Sequence, residues 1–317
     1  MSKVPTTKKA TQISEKRIIG SVKGDPKGPI VVMLAGMHGN EPVGVEAAKN
    51  ILDKLEGVSP AIDGHVLGIR ANISALEQQV RYIDEDMNRL WFSSILEKIR
   101  STPEDEIESS ERREIKRLLS ILDTIDKKSG QPTVMVDLHT FSAEGYMFAI
   151  TNNDLRQRQL LSHLKVPMVF GIGESLRGTA LRYYQEQGFI SFGLEGGQHQ
   201  NKLTENNITC ALMLLLQAVG CIEQQYVSDI QDYREYLQSQ TKHLPVQTKL
   251  VYQHIIEQGD AFKMRPGYQN FQPVTKGEWL ASDQNGKIKC RCDGYILMPL
   301  YQRQGNDGFL LLQEHEG

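Results

Sequence analysis

Three residues of this chain have the types and spacing of a metal site. His38 and Glu41 form a His-x-x-Glu pair, and His139 lies far downstream. Two imidazoles and one carboxylate leave a coordination position of a zinc ion open for water, as hydrolytic zinc sites require. We therefore predict a metallohydrolase that binds a single Zn²⁺ per chain through His38, Glu41 and His139.

Each half of this candidate site follows an apolar run that predicts a buried strand. Residues 29–34 precede His38, which lies in a glycine-bracketed loop, and residues 133–136 precede His139. Because the carboxyl ends of parallel strands face the ligand crevice of an open α/β sheet, the two strand ends can deliver their ligands to one place. Asp137 either supports a ligand from behind or has a structural role.

Glu195 is the candidate general base. It ends the apolar run 189–194 and is followed by two glycines. Hydrolysis needs a base that takes a proton from water and returns it to the leaving amine. The alternative is a helix-capping or loop carboxylate. Among the other histidines, His199 is the nearest rival for a place in the active site.

A second polar cluster covers residues 81–89, with the sequence RYIDEDMNR. We expect Arg81 and Arg89 to project into the crevice, with Asn88 beside Arg89 and with Asp86 holding one arginine in place. A guanidinium binds a carboxylate through two parallel hydrogen bonds and stabilises the negative oxygen that develops when water attacks a carbonyl. A hydrolase for an acidic acyl-amino acid needs both. The alternative is a charged surface loop.

The elements that must position these residues alternate as in an α/β fold with parallel strands. The predicted strands cover residues 29–34, 65–69, 133–138, 146–150 and 189–194, and the predicted helices cover residues 42–56, 105–128 and 205–224. The second helix has a charged face, including Glu111, that we expect to be solvated. The third is apolar almost all round and should be buried.

The pattern changes towards the C-terminus into short alternating segments separated by turn residues, which predict a small all-β unit. We therefore expect a polar N-terminal arm over residues 1–20, a catalytic domain over residues 21–240 and a β-rich domain over residues 241–317.

Composition limits the partners and the compartment. The net charge of −3 and the pI of about 6.3 give no reason to expect a nucleic-acid or anionic-membrane partner, and no apolar stretch is long enough to span a bilayer. The four cysteines fit neither a disulfide framework nor a zinc ribbon, which favours a reducing, cytoplasmic compartment.

Four segments together resemble the aspartoacylase and succinylglutamate desuccinylase family of the zinc carboxypeptidase clan. They are GMHGNE at residues 36–41, the cluster at residues 81–89, DLHT at residues 137–140 and GLEGG at residues 193–197. The resemblance implies a mixed, largely parallel sheet flanked by helices, a small C-terminal β domain, and amide hydrolysis of an N-acyl amino acid.

The resemblance also implies roles for individual residues. Glu195 would be the proton shuttle and Arg81 the polariser of the carbonyl and oxyanion, while Asn88 and Arg89 would bind the α-carboxylate. Aspartoacylases use a further arginine for the substrate's side-chain carboxylate. Arg177 and Arg182 are the candidates here, but neither falls at the expected spacing.

Several points stay open from the sequence. The acyl group, the amino acid and homo-oligomer formation are not determined. The small domain of such proteins contributes a tyrosine, for which Tyr295 and Tyr301 are candidates, with core packing as the alternative for each. Other functions to weigh are a zinc carboxypeptidase acting on a peptide or peptidoglycan stem, and a non-catalytic zinc-binding module.

Overall fold

The computed structural model describes residues 17–57, 62–125, 130–152 and 154–315. The helices of the described residues, numbered in chain order, are α1 (Val43–Glu56), α2 (Ile73–Gln78), α3 (Ser93–Ser101), α4 (Ser110–Leu122), α5 (Leu155–Ser162), α6 (Ile172–Ser175), α7 (Ala180–Glu186), α8 (Leu203–Val219) and α9 (Ile230–Thr241). Three short 3₁₀ turns accompany them, at Met87–Arg89, Glu104–Glu106 and Gln224–Tyr226.

The strands form one large sheet and one small sheet. They are β1 (Ile18–Lys23), β2 (Asp25–Ala35), β3 (Asp63–Arg70), β4 (Thr133–Phe141), β5 (Phe148–Thr151), β6 (Met168–Phe170), β7 (Ile190–Gln198), β8 (Gln247–Ile255), β9 (Lys263–Met264), β10 (Gln272–Val274), β11 (Trp279–Asp283), β12 (Gly286–Lys289), β13 (Gly294–Leu297) and β14 (Asp307–Glu314). The large sheet has the order β1-β3-β2-β4-β7-β5-β6-β8-β14-β13-β10, and its centre, β3-β2-β4-β7, is parallel.

Helices cover both faces of this sheet. Along β2, Val31 and Met33 pack into a core with α1 and α8, whereas Val32 and Leu34 pack into a second core with α3, α4 and α7. This alternation follows from the period of two in a strand, and burial on both faces explains why the strand reads as an unbroken apolar run. The prediction of a mixed, largely parallel sheet flanked by helices is confirmed.

Each predicted helix and strand of the first two-thirds of the chain is present, with shifted ends. The helix predicted over residues 105–128 covers only Ser110–Leu122. The helix predicted over residues 205–224 is Leu203–Val219, and every residue from Ile208 to Leu216 is buried, as its apolar circumference predicted.

The C-terminal segments do form strands, but most of them extend the large sheet. β8 pairs with β6, and β14, β13 and β10 follow it, so the hydrogen-bonded ladder continues past the boundary predicted near residue 240. Only β9, β11 and β12 make the separate small sheet, which packs on its own apolar cluster with Phe309 and Leu311 of β14.

The predicted N-terminal arm falls largely outside the described residues, which begin at Arg17. Residues 18–20 already belong to β1, and the Arg17 side chain is buried against Glu114. Within the described ranges, no helix combines the length and the apolar character needed to cross a bilayer. All four cysteines are free thiols.

Candidate metal centre and active site

The central strands bring the predicted site together at their carboxyl ends. β2 ends just before His38, and His139 lies near the end of β4. In the parallel pairing of β4 with β7, His139 lies directly opposite Glu195. One edge of the sheet therefore presents the two candidate ligand segments and the candidate base side by side.

The loop after β2 is held by a close backbone approach. A Cβ at Gly39 would lie 2.1 Å from the backbone carbonyl oxygen of Ala75 in α2, so a side chain at this position does not fit. The N–H of Gly39 donates to the carbonyl oxygen of Arg81 at 3.2 Å. Gly39 thus lets the metal-site loop pack directly against the segment that carries Arg81.

His38, Glu41 and His139 are buried and converge on one point. The Nδ1 atom of His38 lies 2.9 Å from Oε1 of Glu41, and Nδ1 of His139 lies 3.1 Å from Oε2 of the same carboxylate. The backbone N–H of Thr140 also donates to Oε2 at 3.0 Å, which fixes the carboxylate between the rings. Candidate ligand atoms of the three residues all lie within 4.8 Å of one another, as binding to one ion requires.

The other nitrogen of each imidazole faces a second acid. Nε2 of His38 lies 3.2 Å from Oδ1 of Asp86, and Nε2 of His139 lies 2.8 Å from Oδ2 of Asp137. Carboxylates placed behind ligating histidines orient the ring and raise its basicity in metal sites. The structure thus supports the first of the two roles considered for Asp137.

The electrostatics of this centre favour a cation. Burial opposes ionisation of Glu41, but His38 and His139 hold its pKa well below the usual value. Burial likewise opposes protonation of His139, but Asp137 and Glu41 hold its pKa well above the usual value. A place that stabilises a proton between acids and imidazoles also suits a divalent metal, because metal and proton compete for the same lone pairs. The donor set therefore fits zinc.

Glu195 is buried next to this centre without a full set of partners. Its Oε2 atom has no hydrogen-bond partner among the described residues. Burial raises the pKa of Glu195 to about 8; His139 acts against this rise, while Glu41 and Asp137 add to it. An unpaired buried carboxyl oxygen is costly unless a ligand or water completes it, so its position indicates a functional group rather than a cap.

Arg81 reaches the centre from the loop before the Met87–Arg89 turn. Its Nη2 donates to Oδ2 of Asp86 at 3.1 Å, and its Nη1 lies 3.5 Å from Oε1 of Glu41. Asp86 therefore holds Arg81 and His38 at once, as the sequence suggested for one arginine. The Nε atom of Arg81 is buried and has no partner within the described part of the chain.

Asn88 and Arg89 lie at the same cavity, but both have partners. Oδ1 of Asn88 accepts from the backbone N–H of Ala180 at 3.0 Å, and its Nδ2 lies 3.5 Å from Nε2 of His139. Nη2 of Arg89 donates to Oδ2 of Asp307, the first residue of β14, at 2.8 Å. The sequence reading missed Asp307, because a contact between residues so far apart leaves no local pattern.

The structure does not bring Arg177 and Arg182 to this cavity. Both line a separate surface depression beside Phe92. Nε of Arg182 donates to Oε1 of Glu186, one turn further along, at 3.2 Å. The expectation that either arginine contacts the substrate is therefore not supported by its position.

The charged face of α4 is not fully solvated, contrary to the prediction. Glu111 is completely buried, and its carboxylate accepts hydrogen bonds from the backbone N–H groups of residues 83, 84 and 85 at 2.8, 3.0 and 3.3 Å. The periodicity of α4 gave no sign of this, because the partners are loop backbone atoms rather than an apolar surface.

A segment of the C-terminal unit, residues 300–307, closes the cavity; we call it the closing segment. Oε1 of Gln302 accepts from Nδ2 of Asn40 at 2.9 Å and lies 3.1 Å from Nε2 of His199. Oε1 of Gln304 accepts from the backbone N–H of Arg81 at 3.2 Å. Nδ1 of His199 lies 2.6 Å from Oγ1 of Thr140, the cavity-lining residue next to His139. His199 thus lies at the rim of the site, between Gln302 and Thr140.

Neither candidate tyrosine lines the cavity. The hydroxyl of Tyr295 donates to Oε1 of Glu314, and the hydroxyl of Tyr301 donates to the carbonyl oxygen of Arg265. The C-terminal unit instead contributes Met298, Leu300, Gln302, Gly305, Asp307 and Leu310 to the cavity.

The chain matches a known protein family over more than half of its length. The model described as the succinylglutamate desuccinylase/aspartoacylase catalytic domain matches residues 27–219, a stretch that contains all four motif segments. An N-acyl-aromatic-L-amino acid amidohydrolase (carboxylate-forming) of Homo sapiens is 32% identical over 146 residues, which are 44% of this chain and 44% of that protein. A succinylglutamate desuccinylase of Chromobacterium violaceum is 37% identical over 71 residues, 22% of this chain and 21% of that protein. The chain thus matches less than half the length of these curated relatives.

A solved structure covers nearly the whole chain. The succinylglutamate desuccinylase/aspartoacylase from Rhodobacter sphaeroides superposes with a TM-score of 0.67 and 16% identity, over 93% of this chain and 88% of that one. At this identity the likeness shows a shared fold.

Proposed function

Because the chain belongs to the succinylglutamate desuccinylase/aspartoacylase family, we propose that it is a zinc-dependent amidohydrolase that cleaves the amide bond of a small N-acyl amino acid. The products are a carboxylic acid and a free amino acid. His38, Glu41 and His139 hold the zinc ion. Two relatives of this chain are named as enzymes of this type, which supports the proposal.

One observation carries the proposal. The carboxylate of Glu41 lies between the Nδ1 atoms of two imidazoles, and an unpaired carboxyl oxygen of Glu195 is buried beside them. A module that only bound metal would need the three ligands but not a buried base with a free oxygen. This combination therefore favours an enzyme over the non-catalytic module.

The chemistry follows from what each side chain can do. Zinc, when bound, would supply Lewis acidity that activates water. Glu195 accepts a proton from the water that attacks the acyl carbon and donates it to the amide nitrogen as the C–N bond breaks. The guanidinium of Arg81 stabilises the negative charge that develops on the carbonyl oxygen. Asp86 keeps Arg81 in place for this role.

Asn88 and Arg89 bind the α-carboxylate of the amino-acid half. Both line the cavity, and a guanidinium is suited to a planar carboxylate. In the structure the Nη2 of Arg89 is occupied by Asp307. The substrate carboxylate therefore shares Arg89 with Asp307 or displaces it.

The closing segment favours a small substrate over a peptide. Gln302 and Gln304 tie this segment to the loops that carry Asn40 and Arg81. A carboxypeptidase acting on a long peptide or a peptidoglycan stem needs an open groove at this place.

The four free cysteines agree with a reducing, cytoplasmic compartment.

The test is release of free amine from N-acyl amino acids by zinc-loaded protein. We expect turnover that stops when a chelator removes the metal and returns when zinc is restored. Peptides of several residues should be poor substrates in the same assay. Fully zinc-loaded protein that binds N-acyl amino acids without hydrolysing them would contradict the proposal and support a non-catalytic module. A preference for peptides would favour the carboxypeptidase.

A further inference from the structure

The cavity beside the candidate metal centre is lined by a group of apolar residues as well as by charged ones. We call six of these apolar side chains the apolar wall: Phe141, Ile150, Ile172, Leu176, Met298 and Leu310. All six belong to one hydrophobic cluster, in which Ile150, Leu176 and Met298 are only partly buried. The wall is therefore a continuous apolar surface with side chains that still have area to cover.

The two arginines of the cavity already face acids. Arg81 donates to Asp86 at 3.1 Å, and Arg89 donates to Asp307 at 2.8 Å. Among the described residues that line the cavity, there is no further arginine or lysine. With Arg89 assigned to one substrate carboxylate and Arg81 to the carbonyl oxygen, no cation is left for a second carboxylate.

Arg177 and Arg182 do not supply the missing charge. They line the separate surface depression beside Phe92, together with two acids, Glu174 and Glu186. A second substrate carboxylate would thus be desolvated against the apolar wall without a partner, which is unfavourable.

On the premise of the proposed function, we infer that the substrate carries a single carboxylate and that the rest of it, in the amino-acid side chain or the acyl group, is apolar. This apolar part packs against Ile150, Leu176 and Met298 and completes the burial of the wall. A dicarboxylate such as an N-acylaspartate or an N-succinylglutamate is a poor substrate for this chain.

The first experiment compares substrates on the zinc-loaded wild-type protein. We expect kcat/KM for N-acetylphenylalanine or N-acetylleucine to exceed that for N-acetylaspartate and N-succinylglutamate by at least about tenfold, since misplacing even small groups in such a pocket has effects of this size. A preference for either dicarboxylate would overturn the inference and leave amide hydrolysis standing.

Binding separates the inference from the proposed function. The Glu195→Gln variant, loaded with zinc, is titrated with N-acetylphenylalanine and with N-acetylaspartate. Tighter binding of the phenylalanine compound supports the apolar class even if the wild-type protein hydrolyses neither, in which case the proposed reaction alone fails. Equal or weaker binding of that compound overturns the inference.

A charged residue introduced into the wall tests whether the apolar part of the substrate packs there. Leu176→Arg introduces a cation at a half-buried, cavity-lining position, and Leu155→Arg is the control at an exposed position of α5, away from the cavity. We expect Leu176→Arg to lower kcat/KM for N-acetylphenylalanine and to raise it for N-acetylaspartate, with no change in the control.

A milder substitution at the same position keeps the test valid if Leu176→Arg fails to fold. Leu176→Ala shortens the wall without a charge and should lower kcat/KM for N-acetylphenylalanine while leaving the zinc content unchanged. If both Leu176 variants reduce kcat/KM for all substrates by the same factor, the wall does not determine specificity and the inference is wrong.

Discussion

Asp86 holds two other side chains of the candidate site at once. Its Oδ1 faces Nε2 of His38 at 3.2 Å and its Oδ2 accepts from Arg81 at 3.1 Å. His38 and Arg81 hold the pKa of this half-buried carboxyl well below its usual range, against the effect of its partial burial. One acid therefore links the candidate metal ligand His38 to Arg81.

Removing that charge should weaken metal binding. In Asp86→Asn, an NH₂ group replaces one carboxylate oxygen. This group cannot accept a hydrogen bond, so the side chain can no longer accept from both His38 and Arg81. We expect the affinity for zinc, measured by competition with a chromophoric chelator, to fall by about 10- to 100-fold. Asp105→Asn, at an exposed acid, is the control and should bind zinc like the wild-type protein. An unchanged affinity in Asp86→Asn would show that Asp86 does not support His38.

Glu195 should be needed for turnover and not for metal binding. Glu195→Gln keeps the size of the side chain but cannot accept the proton of water, so we expect kcat to fall by about 10²- to 10⁴-fold. Zinc content and the thermal midpoint should stay close to those of the wild-type protein, as they should in the exposed control Glu46→Gln. A Glu195→Gln variant with normal kcat would remove Glu195 from the mechanism.

The sequence alone was sufficient to find site residues that directly follow or end an apolar strand. His38, Glu41 and His139 could be paired because both strands read as apolar runs and their ends must meet. Asp307 and Glu111 carried no such signal. Asp307 belongs to a strand far along the chain, and Glu111 lies on a helix face that looks solvated by its periodicity.

At the scale of elements, the first turn of α4 fixes the loop that carries Arg81 and Asp86. The backbone N–H of Ser110 donates to Oδ2 of Asp84 at 2.7 Å, and Nε of Arg112 donates to Oε1 of Glu85 at 2.7 Å. Between them, Glu111 accepts from three successive loop N–H groups. A helix that does not reach the cavity thus sets the geometry of residues that do.

Glu111→Gln should loosen this loop. The amide would place an NH₂ donor against backbone N–H donors, and we expect a loss of about 1–3 kcal/mol in the free energy of unfolding, measured in urea. We also expect kcat to fall, because Arg81 loses its fixed position. Glu108→Gln, at an exposed site just before α4, is the control.

A double-mutant cycle distinguishes positioning from general destabilisation. If Glu111 acts through Arg81, Glu111→Gln should have little further effect on kcat in an Arg81→Ala background, while its effect on unfolding persists. Effects on kcat that simply multiply would show that Glu111 does not act through Arg81.

At the scale of the whole molecule, the large sheet is continuous, and Arg17, just before β1, is bound to residues of other elements. The hydrogen-bonded ladder runs from β1 through β2, β4 and β7, which lead to the candidate site residues, into β8 and β14. At its first described residue, the guanidinium of Arg17 donates to the carbonyl oxygens of Arg70 and Ala71 and to Glu114. The sequence predicted the α/β class and the C-terminal strands, but single-strand patterns do not tell which strand pairs with which, so the extension of the large sheet by β8 and β14 was not foreseen.

The buried pair of Arg17 and Glu114 should make stability depend on pH. Burial opposes ionisation of Glu114, but Arg17 lowers its pKa below the ordinary value of 4.5. A group with a lowered folded-state pKa stabilises the protein above its ordinary pKa and loses that contribution as the pH falls. Glu114→Gln, which leaves Arg17 without its charge partner, should cost about 3–5 kcal/mol at neutral pH.

Urea unfolding across pH checks this prediction. The difference between the wild-type protein and Glu114→Gln should be largest near neutrality and should shrink as the pH falls below about 4.5, where the carboxyl begins to bind a proton. A difference that stays constant with pH would mean that the charge of Glu114 does not stabilise the fold.

The zinc content of the chain after reconstitution and desalting, measured by mass spectrometry, tests the proposed metal centre most directly. We expect about one zinc per chain in the wild-type protein and loss of that zinc in a His38→Ala/His139→Ala double variant that remains folded by circular dichroism. A wild-type protein without stoichiometric zinc, or a double variant that retains as much zinc as the wild type, would contradict the proposed metal centre.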